Sequence, residues 1–254
     1  MNAQEAKWPV FRAKLVNRTE IAEATMAFRF ERPREWTFKA GQFVDITLLD
    51  PSETDAEGNV RGFSIASAPY EDTIMVATRM RNTAFKRVLA TMPLKTEVQI
   101  EGPFGDLTLH NNAKKPAILL AGGIGITPFH SIVLQAAHER LPHRIVLLHS
   151  NNRSEDAPFL EELRQLEKQN PNYKYVPTMT AMEQSQRTWP GETGTLSATM
   201  LSKHLKVATP SDPSIVDAIY YIAGPPGMVA DMRKMLVDWG VDEDNIRTEE
   251  FAGY

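Results

Sequence analysis

The sequence contains no cysteine. That absence excludes disulfides, thiolate zinc sites, a cysteine nucleophile and Cys-ligated iron–sulfur clusters within these residues, so any redox chemistry must use a borrowed cofactor. There is no basic excess either: 28 Lys and Arg against 32 Asp and Glu leave a formal charge of −4, which argues against nucleic acid as a partner. Long apolar runs are also missing. Nothing approaches the roughly 20 residues of a membrane helix, and the opening "MNAQEAKWPV" lacks the basic start and apolar stretch of a signal peptide. The expectation is a cytoplasmic protein without membrane insertion.

What is present is enough apolar sequence, 42% of 254 residues, for one large domain or two ordinary ones. Residues 10–109 run in short strand-like pieces: "VFRAKLVNRTEI", "TMAFRFER", "QFVDITLL", "TIMVATRM" and "TEVQIEGPFGDLTL". Their partial alternation and Gly/Pro/Asn punctuation predict an antiparallel barrel or sandwich, with only "AFKRVLATM" helical. From residue 116 the period changes. "PAILLAGG", "RIVLLHS" and "AIYYIAGP" are continuous apolar runs, each followed by helix-like sequence, which predicts a parallel sheet with crossover helices. The polar stretch "HNNAKKP", 110–116, reads as the linker, and "KVATPSDPSIVD", 206–217, as a surface loop.

Two glycine turns fall at predicted strand ends: "AGGIGITP", with Gly122, Gly123, Gly125 and Thr127, and "AGPPGM", with Gly224, Pro225, Gly227 and Met228. Neither is a P-loop, because no Gly-Lys-Ser/Thr follows, and the first does not fit G-x-G-x-x-G. Ligands of parallel sheets sit at the carboxyl ends of strands, where glycine lets the backbone approach phosphate and helix N-termini attract negative charge. Two such turns lining one crevice predict a dinucleotide. In the first half, "RGFS" places a cation, an aromatic ring and a hydroxyl on one strand, as Arg61, Phe63 and Ser64 around Gly62. A guanidinium suits a pyrophosphate and a ring suits a flat cofactor. An exposed Arg beside a core Phe is the alternative.

Taken together, these motifs resemble the ferredoxin–NADP reductase-type flavoproteins, over roughly residues 8–254. The resemblance implies an N-terminal antiparallel six-stranded-type β-barrel binding FAD (1–110) and a C-terminal parallel-sheet α/β domain binding NAD(P) (111–254). In the family's Arg-x-Tyr-Ser motif, Arg holds the FAD pyrophosphate, the ring lies against the flavin and Ser sits near its reactive nitrogen. Here the motif is Arg61, Gly62, Phe63, Ser64. The family element that follows implies that Thr78, Arg79 and Met80 border the ribityl and adenine side. Thr83 then caps a helix whose Ala84, Phe85 and Lys86 amides face pyrophosphate, although the commoner family version has Gly and Ser at the positions of Thr83 and Lys86. "EGPFGDL" resembles the Gly-Pro-x-Gly turn closing the barrel.

In the second half, "GGIGITP" corresponds to the family's nicotinamide-nucleotide loop, with Thr127 near the pyrophosphate or nicotinamide. "AGPPGM" corresponds to Cys-Gly-Pro-x-x-Met, with Ala223 in place of Cys. After the second parallel strand, Ser150 and Arg153 are candidates for a 2′-phosphate, which tilts the donor toward NADPH over NADH. The ending "EEFAGY" resembles Glu-x-aromatic, so Glu249 is the active-site carboxylate and Phe251 or Tyr254 the ring over the flavin. The implied catalytic set is Ser64, Glu249 and Phe251, with no metal. The implied activity passes electrons from NAD(P)H through FAD to a separate carrier: ferredoxin, flavodoxin or an oxygenase component. No Cys and no spare length leave no iron–sulfur domain, and the chain is expected to be a monomer. A free-flavin reductase or a silent scaffold of the same fold are the alternatives. His130, His138, His143 and His149 read as structural, not metal-binding.

Overall fold

The computed structural model describes residues 8–205 and 216–251. Tyr254 and most of the loop read at 206–217 lie outside them.

The first sheet is antiparallel, with strands β1 (Val10–Ala22), β2 (Thr25–Glu31), β3 (Phe43–Leu48), β4 (Val60–Ser64), β5 (Thr73–Arg79) and β6 (Glu97–Phe104). Their spatial order is β4-β3-β6-β1-β2-β5. It curls into a barrel-like form that does not fully close: the edge strands β4 and β5 are not paired with each other, and just after β4 the chain meets β5 through the bridge Ile65–Val76 and the Ala66 amide donating to the Met75 carbonyl at 2.7 Å. The curl encloses one dry face, and the alternation is clearest on β3. On β3, Val44, Ile46 and Leu48 are buried while Phe43, Asp45 and Thr47 are not. Helix α1 (Ala84–Thr91) plugs the interior with Phe85, Val88 and Leu89.

The second sheet is parallel, with β7 (Ala117–Gly122), β8 (Ile145–Asn151), β9 (Tyr173–Met179), β10 (Glu192–Thr193), β11 (Ile219–Gly224) and β12 (Ile246–Glu250). Every residue of β7 and β11 is buried, as expected of strands covered on both faces. Helices α2 (Ile126–His138) and α3 (Leu160–Gln169) cover one face, while α4 (Ala198–Leu205) and α5 (Pro226–Asp238) cover the other. The order β10-β9-β8-β7-β11-β12 has the chain run outward from β7, then return to place β11 on its other side. The crevice outside the carboxyl ends of β7 and β11 is therefore the switch point where such sheets take ligands.

The two sheets share buried contacts. Ala66, Met75, Ala77 and Leu107 of the first half share a buried cluster with Phe129 and Ile132 of α2 and Ala223 of β11. His130 Nδ1 lies 2.7 Å from the Ala66 carbonyl, and the Ser131 hydroxyl donates to the Ser67 carbonyl at 2.6 Å. His130 also faces Glu162 at 3.1 Å and stacks on Phe159. His138 stacks on Tyr70, and His143 bonds the His110 carbonyl at 2.8 Å. These histidines are joints of the fold.

Candidate functional site

Both glycine turns fall at the switch point, and close packing dictates their glycines. A Cβ at Gly122 would come within 2.6 Å of the Met228 sulfur and 2.8 Å of Pro225, and one at Gly125 would strike the Ala223 carbonyl. Gly123 and Gly224 have positive φ, at 52° and 156°, where side chains are strained. Gly227, by contrast, has open space around its Cα. The first turn continues as a 3-10 turn, Gly123–Gly125, directly into α2. Its geometry is held from below by a relay for which the sequence carries no local signal. His149 Nε2 donates to the Gly123 carbonyl at 2.9 Å, so His149 Nδ1 accepts from the Tyr175 hydroxyl at 3.0 Å. Burial pushes His149 down to about 4, so the ring is neutral at physiological pH and keeps that donor in place.

Two cavities open along this crevice. The first is lined by Arg61, Gly62, Phe63, Ser64, Thr78, Arg79, Thr83, Lys86, Thr127 and Phe251, with Arg81 and Ile124. The second holds Gly122, Gly123, Ser150, Pro225 and Met228, together with Asn151, Asn152 and Thr180. Arg79 and Arg81 border both, which puts fixed positive charge at their junction. Arg81 lies within the stretch "VATRMRNTAFKRVL", but no family motif marks it, so the resemblance points only to its neighbours. Asn151 is 5% exposed, and both polar atoms of its side chain lack partners among the described residues.

The best-defined polar pair spans the two sheets. Ser64 Oγ donates to Glu249 Oε1 at 3.3 Å. Parallel register sets Glu249 beside Ala223, and the Phe251 amide donates to the Gly224 carbonyl at 3.0 Å, which fixes the chain after β12 at the crevice. Burial, reinforced by Asp106 and opposed by Ser64, pushes the Glu249 carboxyl up to about 7. Its Oε2 is buried without a partner among the described residues. Ser64 lines the first cavity, so the Glu249 carboxyl sits directly behind its wall. Thr127 is buried and turns its hydroxyl to the Ile124 carbonyl at 3.0 Å.

Several of the expected residues already hold partners within the fold. Phe63 is 8% exposed and packs against Phe85 at 5.8 Å, so little of its ring is open to a ligand. Phe85 is itself core, with Arg61 over its face. Met80 packs on the barrel core and does not line the cavity. Thr83 caps α1, accepting from the Lys86 amide at 3.4 Å, but the Ala84 amide already donates to Asp55 at 2.8 Å. Arg153 does not face the groove. It is tied to Asp156 at 2.7 Å, Glu23 at 3.0 Å and Glu155 at 3.6 Å, carboxylates that neutralise it and dock the loop after β8 on the first domain.

The cation set fits an anionic ligand. Among the described residues no carboxylate lies within ion-pair distance of Arg79, Arg81 or Lys86. Burial, with Arg81 and Arg61 adding to it, pushes Lys86 down to about 8, as in a cluster of like charges that a diphosphate would relieve. The groups that could hold a flat ring with a diphosphate tail are therefore present.

Residues 119–234 match the family described as "Oxidoreductase NAD-binding domain". Among curated proteins, the chain is 28% identical over 236 residues to a Na(+)-translocating NADH-quinone reductase subunit of Yersinia enterocolitica, covering 88% of this chain and 56% of that one. Its counterpart in Methylococcus capsulatus is 27% identical over 207 residues, covering 76% and 49%. The chain thus spans about half the length of these curated relatives. Among solved structures, a ferredoxin NADP+ reductase from Neisseria gonorrhoeae with bound FAD and NADP superposes with a TM-score of 0.76, 23% identity and coverage of 97% of this chain and 99% of that one. The Amycolatopsis cytochrome P450 reductase GcoB gives 0.78, 19%, 98% and 73%. At these identities the structural likeness is one of fold.

Proposed function

We propose that the chain is a ferredoxin–NADP reductase-type flavoprotein that oxidises a nicotinamide dinucleotide, passing electrons through FAD in the first cavity to a separate acceptor; the NAD-binding family match over residues 119–234 and the likeness of fold support this reading. The observation that carries this reading is the Ser64–Glu249 hydrogen bond, which joins the "RGFS" strand of one domain to the C-terminal strand of the other at 3.3 Å, beside both glycine turns. The bound flavin supplies a ring that accepts hydride and releases electrons singly.

This chain's residues do the rest. The cations Arg79, Arg81 and Lys86, with Arg61, bind phosphate groups. Ser64 presents a hydroxyl at the cavity wall, and Glu249 behind it holds or yields a proton near neutral pH. The turns at Gly122–Gly125 and Gly224 bring the backbone close enough to align the nicotinamide with the flavin. Phe251, packed at the crevice, is the ring that a nicotinamide must displace or stack beside.

NADH suits the groove better than NADPH. Arg153, the cation the resemblance offers to a 2′-phosphate, is saturated by Asp156, Glu23 and Glu155; Ser150, Asn151 and Asn152 line the groove with neutral groups, and its cations without a carboxylate partner among the described residues, Arg79 and Arg81, are shared with the first cavity. The relatives named as NADH-quinone reductase subunits support the same choice. The 254 residues hold no cysteine, so electrons leave to a carrier or cluster outside them; a ferredoxin, a flavodoxin or an oxygenase component is the acceptor class.

FAD titration of the purified apoprotein, followed by flavin fluorescence, tests the cofactor; an acceptor panel then tests the exit. The proposal expects saturable FAD binding and faster NADH-dependent reduction of a one-electron protein carrier than of free flavin. Absence of FAD binding contradicts it.

A further inference from the structure

Two of the anion receptors assigned above to the flavin's phosphates already hold carboxylates. Arg61 donates to Glu57 Oε2 at 2.6 Å and sits 3.8 Å from Asp55 Oδ1. The Ala84 amide, at the open end of α1, donates to Asp55 Oδ2 at 2.8 Å. Asp55 thus bridges a helix N-terminus and a guanidinium, the pairing that binds phosphate oxygens. Arg61 also donates to the Glu57 and Val60 carbonyls at 2.8 and 2.7 Å, which draws the whole β3–β4 loop onto it. A third tie secures the loop: Arg87 Nε, on α1, donates to Glu53 at 2.9 Å. Glu57 itself lines the first cavity.

The neighbouring cations are the contrast. Arg81 and Lys86 border the same cavity and have no carboxylate within ion-pair distance among the described residues. The loop carboxylates thus cover Arg61 and the Ala84 amide, two of the receptors that the resemblance gives to the diphosphate, and leave the side chains of Arg81 and Lys86 without a carboxylate among the described residues.

We infer that Asp55 and Glu57 are affinity-determining residues that occupy the phosphate receptors of the flavin site, so that a phosphorylated flavin binds by displacing them. This rests on the FAD reading proposed above. Binding exchanges one set of charge-assisted hydrogen bonds for another. The net affinity for the phosphate end is therefore smaller than the receptors alone would give, and the cofactor is held exchangeably.

Riboflavin has the ring without phosphate, and it separates the two claims. Dissociation constants for FAD and riboflavin are measured by fluorescence on the parent protein and on Asp55→Asn, Glu57→Gln and the double variant, with thermal unfolding to establish that each is folded. Asparagine keeps an oxygen for the Ala84 amide but removes the charge. Removing the competing charges is expected to tighten FAD by about tenfold, the scale of one charge-assisted hydrogen bond, and to leave riboflavin unchanged. Should Asp55→Asn disturb folding, Glu57→Gln, which touches only Arg61 and the cavity rim, is expected to show the same sign. Parental FAD affinity, or weaker binding, in folded variants that still bind riboflavin overturns the inference while leaving the flavin reading intact. Failure of every protein to bind either flavin overturns both.

Discussion

Glu249 is the residue on which most depends. Its carboxyl is raised from an ordinary 4.5 to about 7 by burial, and the sign of the stability effect follows. Below pH 4.5 the carboxyl is protonated in both folded and unfolded chains, so nothing is lost. As pH rises through the window from 4.5 to about 7, the unfolded carboxyl ionises while the folded one keeps its proton, and stability falls by about 3 kcal/mol in total. Glu249→Gln removes that penalty. Melting temperatures of this variant are expected to exceed the parent's above pH 7 and to match it near pH 4.5; equal behaviour across the range would mean the carboxyl ionises freely. The same substitution should flatten an alkaline limb near pH 7 in flavin reduction by NADH.

Glu249 is legible in the sequence only through the ending "EEFAGY"; its partnership with Ser64 is not, because the two lie 185 residues apart and only the packing of the two sheets joins them. Arg153 misleads for the opposite reason. A cation after the second parallel strand looks free until its carboxylate neighbours are known, and one of them, Glu23, comes from the other domain. Phe63 likewise follows the period-2 rule: it faces the barrel interior, where Phe85 waits, so its position in "RGFS" identifies the strand better than the stacking surface.

At the scale of elements, the apolar runs of β7, β8 and β11 and the helices after them are readable, since continuous burial and helical periodicity are strong local signals. The strands that escape a sequence reading are those with weak signals. β9 carries Pro177, which reads as a breaker, β10 has two residues, and β12 is charged, "IRTEE". β9 matters because its Tyr175 supports His149, and His149 supports the Gly123 carbonyl. Replacing His149 with Phe should raise the KM for NADH about tenfold, the equivalent of one buried hydrogen bond, without changing FAD affinity. Gln at 149 can still donate and should restore part of the loss. An equal fall in FAD binding would make the histidine a general packing residue.

For the molecule as a whole, the two-sheet division follows from the change of hydrophobic period near residue 116, and the candidate crevice follows from strand order. Reversal between β7 and β11 brings two glycine turns together, and the barrel-like sheet presents Ser64 and a set of cations to them. No helix among the described residues is long and apolar enough to cross a membrane. The joint between the sheets, through His130, Ser131 and Arg153, holds the two halves of the site in register.

On the proposed function, this crevice moves a hydride from a nicotinamide to a flavin. Rapid mixing of the FAD-loaded protein with NADH, and separately with NADPH, in the absence of oxygen tests it most directly. Loss of the oxidised flavin's visible absorbance, faster with NADH than with NADPH, is the predicted result. A flavin that binds but keeps its oxidised spectrum with both donors would contradict the account.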